Sequence, residues 1–575
     1  MPARPQRSRP GGQNGRRGTV TINLPTEDAV VSDNRPTPWL LPLITRLHFY
    51  IGVFVGPFLL IAALSGIVYA LTPQLEDWIY RKALYTDTNG PSLSLDAQVA
   101  SARTAIGPEA QLVAVRPASA DGTTTRVMFD LPELGPSQSM AVFIDPVSGE
   151  VRDTLDVYGT AGVLPLRSWL DRFHRGLLLG DAGRLYSELA ASWLWILAVG
   201  GLVLWFARRR SRSSWPQPLP SHALRAVDSS PPNSSDSRSL PSQGRRSSES
   251  GRRLRRWHGT LGVWAFLGVV FFSITGLTWS NYAGGNIGVL RAHYGWGTPS
   301  VSTTLPAQPM SVHHPHETSA SRAGHLVAAV AATRPSSGEY PGDEHAEHGE
   351  HAEHNEHVAT SIHDQHAATS EHHQHAAHRT RATGDTASAQ IAKDPALFDV
   401  ILGVARAAGI DAGKVEIRPP RSADKAWTVT EVDRSWPTQV DAVSIDPRDL
   451  SVLDRTDFES FPLAAKLTRW GIDLHMGTLF GLPNQLALVL TAVCLTIMVV
   501  WGYMMWWALR PMRNATRVAS RSGIIPLARR APWHGVLALT LAAVAVGWFL
   551  PVMGVSLTAF LVLDAVLQWR TRAAA

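Results

Sequence analysis

The sequence predicts a predominantly α-helical integral membrane protein, built from two units of parallel orientation that each carry a small external α+β module. Three observations lead there. Several windows of 17–25 residues contain no Asp, Glu, Lys or Arg, enough for a helix to cross ~30 Å of hydrocarbon. Arginine-rich junctions alternate with acidic segments along the chain. Two stretches outside the apolar windows show strand-like patterning closed by Gly, Pro and Asp turns.

With 575 residues, 45% apolar and 17% charged, the chain is not a purely soluble protein. A net charge of +6 and a pI near 9.6 could point to nucleic acid, but the arginines flank apolar spans, where membrane orientation accounts for them. No nucleic-acid partner is expected; the partner is the lipid bilayer. The single cysteine, Cys494, excludes an intrachain disulfide framework, a cysteine zinc finger and covalent CxxCH haem attachment.

Residues 1–43 are rich in Arg, Gly and Pro without an apolar signal core, and are expected to form a disordered cytoplasmic tail. Spans are expected at Leu47–Leu71 within 44–71, Leu185–Ala207 within 171–207, Trp257–Trp279 within 257–280 and Leu486–Leu509 within 470–509. Gly547, Pro551 and Gly554 interrupt the last apolar region, 533–568, which therefore reads as a two-helix hairpin before a short cytoplasmic tail, 569–575. Six crossings result, with five as the competing count. Residues 208–256 hold 12 Arg against three acids, and 510–532 hold six Arg and no acid, so both are expected in the cytoplasm. Residues 72–170 carry seven basic and 12 acidic groups, and 281–469 carry 16 and 24, so these face the other side of a cell membrane.

The first external module, 72–170, reads as a helix at Leu93–Ala105 and strands at Gln111–Val115, Thr125–Leu131 and Met140–Asp145. The second, 395–469, repeats the order: a helix at Pro395–Ala408 and strands at Val415–Arg418, Ala426–Val432 and Asp441–Ile445. Asp145-Pro146 and Asp446-Pro447 close the corresponding strands as turns. Residues 211–253, dominated by Ser, Pro and Arg, read as a disordered linker, as do residues 300–390 in the external segment 281–394. The latter includes His313, His314, His316, His345, His348, His351, His354, His357, His363, His366, His372, His373, His375 and His378. Glu-His pairs recur there every three residues, and imidazole with carboxylate suits Cu(II), Zn(II) or Ni(II) as a weak, multiple-ion reservoir. Solvated low complexity is the plain alternative.

The membrane histidines are more informative. His48 stands 18 residues before Gly66, and His258 stands 18 before Gly276, an offset of ~27 Å along a helix. Ser65 and Thr275 precede the two glycines, and Arg46-Leu47-His48 parallels Arg256-Trp257-His258. At the opposite edge His174-Arg175-Gly176 leads to Gly180, and His475-Met476-Gly477 to Gly481, with both spacings kept. If the units pack side by side, His48 and His258 can ligate one haem iron and His174 and His475 another. A lone membrane-edge histidine is more often a hydrogen-bonding group; matched pairs on opposite sides carry the case. His534, which opens the last hairpin, can replace an inward ligand, so the pairing of His48 stays open between His258 and His534. Trp193, Trp195, Trp205, Trp501, Trp506 and Trp507 read as interface or packing residues.

On these strings the chain resembles the PepSY-associated transmembrane family, including iron-regulated membrane proteins and ferric-siderophore reductases. The resemblance covers most of residues 44–567 outside the linkers, and the segments ending at Asp145-Pro146 and Asp446-Pro447 look like that family's external PepSY modules. It implies two b-type haems with His48, His174, His258 and His475 as axial ligands. It also implies transmembrane electron transfer and, in some relatives, reduction of Fe(III) held by an external chelator; the donor expected here is a membrane quinol or another cytoplasmic-side reductant. The His-rich tract is not a general family feature and keeps a second class open: a non-catalytic module that binds, senses or delivers copper or zinc. A transporter lacks its inverted repeat. Neither a His-Glu-x-x-His helix nor a nucleotide-binding glycine loop is present to support protease or flavin chemistry.

Overall fold

The computed structural model describes residues 39–135, 137–159, 162–213, 242–306, 397–508, 524–525 and 531–573. The expected N-terminal tail, much of the 208–256 linker, the histidine tract at 313–378 and nearly all of the 510–532 loop lie outside the described residues.

The first span is broken. Helix α1 (Leu40–Phe54) and helix α2 (Gly56–Ala70) meet at an angle of 59°. Pro57 has no N–H to give to the carbonyl of Val53 and cannot sit in a straight helix without clashing with it. The Tyr503 hydroxyl donates to that carbonyl at 2.6 Å, so a polar group freed inside the membrane is satisfied by another helix. Gly56 makes the approach possible, since a Cβ there would lie 3.0 Å from the same hydroxyl.

Helices α3 (Thr72–Ile79) and α4 (Arg81–Leu84) lead out of the bundle into the first module: α5 (Leu95–Ile106), β1 (Gln111–Arg116), β2 (Thr125–Asp130), β3 (Gln138–Ile144) and β4 (Val151–Tyr158). The chain returns through the short helix α6 (Pro165–Gly176) into the long helix α7 (Gly180–Ser213). Helix α8 (Ser242–Thr278) runs back, and α9 (Tyr282–His293) follows. The second module comprises α10 (Phe398–Ala407), β5 (Val415–Arg418), β6 (Trp427–Glu431), β7 (Ala442–Ile445) and β8 (Val452–Thr456). The short helix α11 (Leu463–His475) then enters α12 (Leu482–Ala508), and α13 (Trp533–Phe549) and α14 (Pro551–Ala573) complete the chain.

The six expected strands are present, and β4 and β8 are two that the sequence pattern did not reveal. The modules are also not separate. All eight strands join one antiparallel sheet in the order β4-β3-β2-β1-β5-β6-β7-β8, with β1 pairing β5 through Val115 and Ile417. One apolar core runs across the join, from Val99 and Phe129 to Ile401, Ile417 and Trp427. Fully burying side chains of this size stabilises by about 1.5–3 kcal/mol each. Asp399 accepts the backbone N–H groups of Leu95 and Asp96, while Asp96 accepts that of Phe398. Each of helices α5 and α10 thus has its N-terminus capped by an acid from the other.

Helices α7, α8, α12 and α14 are each long and apolar enough to cross a membrane, and α1 with α2 makes a fifth span if the bent pair counts as one. Helix α13, at 17 residues, is shorter than these, so among the described residues four or five crossings meet the length criterion rather than six. Trp264 and Trp548 are 84% and 85% exposed, as lipid-facing side chains are. The chain is a multi-pass membrane protein, mostly helical, with a separate antiparallel sheet.

Candidate functional site

Four histidines meet in pairs at two depths of the bundle. Toward the sheet, His174 closes α6 and His475 closes α11, and both line a cavity of ≈150 Å³ among α2, α6, α7, α8 and α12. The positions follow from local chain chemistry. The carbonyls at a helix C-terminus lack internal partners. Tyr186 donates to the His174 carbonyl and Ser187 to that of Arg175 at 2.7 Å; Asn484 donates to that of Leu474 at 2.8 Å. Each short helix is therefore tied to the span that follows it. Gly180 and Gly481 turn the chain between them with φ of 60° and 58°, a conformation that glycine adopts freely.

Ser65 and Thr275 do more than let helices approach. Ser65 Oγ lies 2.8 Å from His174 Nδ1, and Thr275 Oγ1 lies 2.6 Å from His475 Nδ1. A hydroxyl has one proton to donate. Ser65 gives it to the Ile61 carbonyl at 2.8 Å and Thr275 gives it to the Phe271 carbonyl at 2.7 Å. Each oxygen is thus left to accept from Nδ1–H. With the hydroxyl protons on those carbonyls, Nδ1 carries the ring proton and Nε2 the free lone pair, the arrangement that a metal-ligating imidazole uses; a hydroxyl that donates to Nδ1 instead reverses both. Burial pushes His475 down to about 3, with His174 adding to the effect, and burial lowers His174 as well, so both rings are neutral. Gly66 and Gly276 leave the room: a Cβ at Gly66 would lie 3.4 Å from His174 Cε1, and one at Gly276 would lie 3.2 Å from the Ala191 methyl.

The far pair differs. His48 on α1 and His258 on α8 face each other with ring centroids 6.4 Å apart and planes at 88°. Gly200 and Gly201 of α7 make the space for His48, since a Cβ at Gly201 would lie 3.2 Å from its Cε1. Sequence reasoning missed these two, although a Gly-Gly pair inside an apolar span was a usable signal. The backbone of Leu197 neighbours His48 and that of Met498 neighbours His258, yet neither Nδ1 has a partner with hydrogen-bond geometry. Of the two partners weighed for His48, His258 lies against it. His534 is exposed at the start of α13, beside Trp533.

The residues fit haem on their donor chemistry. Haem iron takes neutral imidazole nitrogen. Two metal–nitrogen bonds of about 2 Å, plus about 1 Å from each nitrogen to its ring centre, give a centroid separation of about 6 Å, against the observed 6.4 Å for His48 and His258. The same span is also ordinary edge-to-face ring packing. The cavity between His174 and His475 is lined mainly by small and apolar groups, including Ala62, Ala63, Ala190 and Leu194, as a porphyrin face requires. Among the described residues no group of three or more His, Cys, Asp or Glu is placed to hold a metal ion, and the expected Cu(II), Zn(II) or Ni(II) ligands at 313–378 lie outside them.

The sheet reaches this cavity through charge. Arg434, after β6, places Nη1 3.9 Å from the sulfur of Met476, a lining residue. Burial lowers its pKa to about 10, with Arg469 adding to the effect. Arg167 pairs with Glu76, and Arg116 with Glu416 at 2.5 Å beside the β1–β5 join.

None of the curated proteins compared with this chain matches it. The sequence profile described as "PepSY-associated TM region" matches residues 45–508, which include all four paired histidines, both modules and the spans that carry them. The chain therefore belongs to the PepSY-associated transmembrane family.

Proposed function

We propose that the chain carries electrons across the membrane through two b-type haems held by histidine pairs, and delivers them to Fe(III) held by an external chelator. We read it as two repeat units of parallel orientation, with the sheet external and both termini cytoplasmic, because the arginine-rich segments adjoin the sheet-distal ends of the spans. His48 and His258 then serve the cytoplasmic side, and His174 and His475 the external side.

The observation that carries this reading is the matched contact of Ser65 with His174 and Thr275 with His475. Two hydroxyls from corresponding positions prepare two neutral imidazoles, each with an available lone pair, around one cavity. Bound haem supplies reversible one-electron exchange. The protein would supply the imidazole nitrogens, with Ser65 and Thr275 beside two of the rings and mainly apolar groups around the cavity of His174 and His475. A quinol on the cytoplasmic side is oxidised to quinone, releasing two protons and two electrons; the electrons reduce two external Fe(III) ions to Fe(II). The lower charge weakens binding by hard oxygen donors and frees the metal.

Absorption spectroscopy of the purified full chain tests this, with two low-spin haems per chain expected. Removing one histidine of a pair should erase one signal and leave the other. Folded protein without any haem would overturn the proposal. Copper or zinc bound to the 313–378 tract in such protein would favour the non-catalytic metal-binding reading, whose support is the Glu-His repeat.

A further inference from the structure

We propose that Arg175, with Arg184 beside it, is a carboxylate-binding subsite of the cavity that His174 and His475 line. Both arginines face that cavity. Arg175 is 16% exposed and spends Nη2 on Asp171 at 2.5 Å, while its Nε and Nη1 are buried with no hydrogen-bond partner. A guanidinium in an apolar enclosure with two donors unmet costs free energy that an incoming acceptor recovers. Arg184 gives Nη2 to the Trp279 carbonyl at 2.9 Å, a neutral acceptor, and stands close enough to Arg175 to repel it. Asp171 pairs with Arg175, and Asp181 and Asp171 both act on Arg184.

The missing component is a hydrogen-bond acceptor for the unmet donors of Arg175, and the planar fork of a guanidinium matches a carboxylate's two oxygens. Arg175 directly follows His174, so a carboxylate on it lies beside whatever His174 ligates. The carboxylate comes either from the propionates of a porphyrin seated between His174 and His475, or from a free polycarboxylate that chelates iron. The porphyrin source rests on the haem reading above; the anion subsite rests on the cavity and the unmet donors alone.

The test titrates the full-length chain, depleted of haem in detergent, with ferric haem, with its dimethyl ester and with citrate. It compares wild type, Arg175→Gln and Arg175→Lys. Arg175→Lys keeps the charge and serves as the folding control. For a propionate, Arg175→Gln weakens haem binding at the His174/His475 site about 10- to 100-fold, Arg175→Lys restores part of it, and the ester binds all three alike. The haem content of Arg175→Gln as isolated falls from two per chain toward one. Equal binding of haem and ester by wild type and Arg175→Gln overturns the propionate source. If no form binds a porphyrin, the proposed function fails and citrate decides. Citrate bound by wild type and lost in Arg175→Gln upholds the subsite with a free carboxylate, whereas no citrate binding by wild type overturns it.

Discussion

The two histidine pairs lie in one bundle but are built differently. His48 and His258 belong to spanning helices, pack ring against ring and leave both Nδ1 atoms without a partner. His174 and His475 sit on short helices outside the spans, border a cavity and have their tautomers set by Ser65 and Thr275. The contrast shows that a histidine can be positioned by helix packing alone, whereas its protonation pattern needs a second polar group. The pair nearer the sheet has both kinds of support, with Asp171, Arg175 and Arg184 along its cavity, whereas Arg208 is the charge that acts on both members of the far pair.

The strongest way to break that contrast is to remove a ring. His475→Ala or His48→Ala should each abolish transfer from quinol to external ferric chelate in proteoliposomes, by at least about 100-fold, because a ligand interaction worth several kcal/mol is lost. Haem spectra should show that each substitution empties only its own site. A loss of both signals from one substitution would mean that the pairs are not independent. His534→Ala should change neither.

Packing comes next. A Cβ at Gly183 would lie 1.8 Å from the Gly176 carbonyl oxygen, where α6 crosses α7, so Gly183→Ala should destabilise the bundle by about 3 kcal/mol and disturb the His174 site first. Gly285→Ala, inside α9 where a Cβ meets nothing within 4 Å, is the control and should not lower the thermal midpoint, since Ala is the better helix former. Thr275→Val then tests the polar support directly. Losing the acceptor for His475 Nδ1 should cost about 10- to 100-fold in haem affinity at the sheet-proximal site and nothing at the far one.

The smallest effects concern the scaffold. Tyr503→Phe leaves the Val53 carbonyl unpaired and should cost about 1 kcal/mol, measured as a lower thermal midpoint. Burial raises Asp96 to about 7, and its neighbour Asp399 also acts on it. The folded state then holds an extra proton between the ordinary aspartate value and that one, so this group's stability contribution falls as pH rises from about 4 to about 7 and is level above. Asp96→Asn should flatten that slope in thermal unfolding and leave the haem spectra of both pairs unchanged.

Much of this was legible in the sequence because the membrane imposes a length and a polarity on each span, and apolar runs report both directly. The inner strands were legible through their apolar runs. Strands β4 and β8 were not, because they form the sheet edges and carry charges within short stretches, Arg152 and Asp153 in one and Asp454 and Arg455 in the other. Helices α6 and α11 also escaped notice, although Pro165 at the first helical position was a start signal. Ser65 and Thr275 were singled out as small residues; that their hydroxyls face imidazoles depends on contacts across 109 and 200 residues.

By itself, the sequence determined the main apolar segments, the four histidines at matched spacings and the order of the helix and first three strands in each module. All three follow from local rules of hydrophobic length, helical rise and turn chemistry. Tertiary structure alone decided that the two modules share one sheet, that His48 lies against His258 rather than His534, and that the hydroxyls of Ser65 and Thr275 lie against the rings of His174 and His475. Those outcomes depend on groups far apart in the chain coming within hydrogen-bond or van der Waals reach of each other, the only range at which such contacts carry free energy.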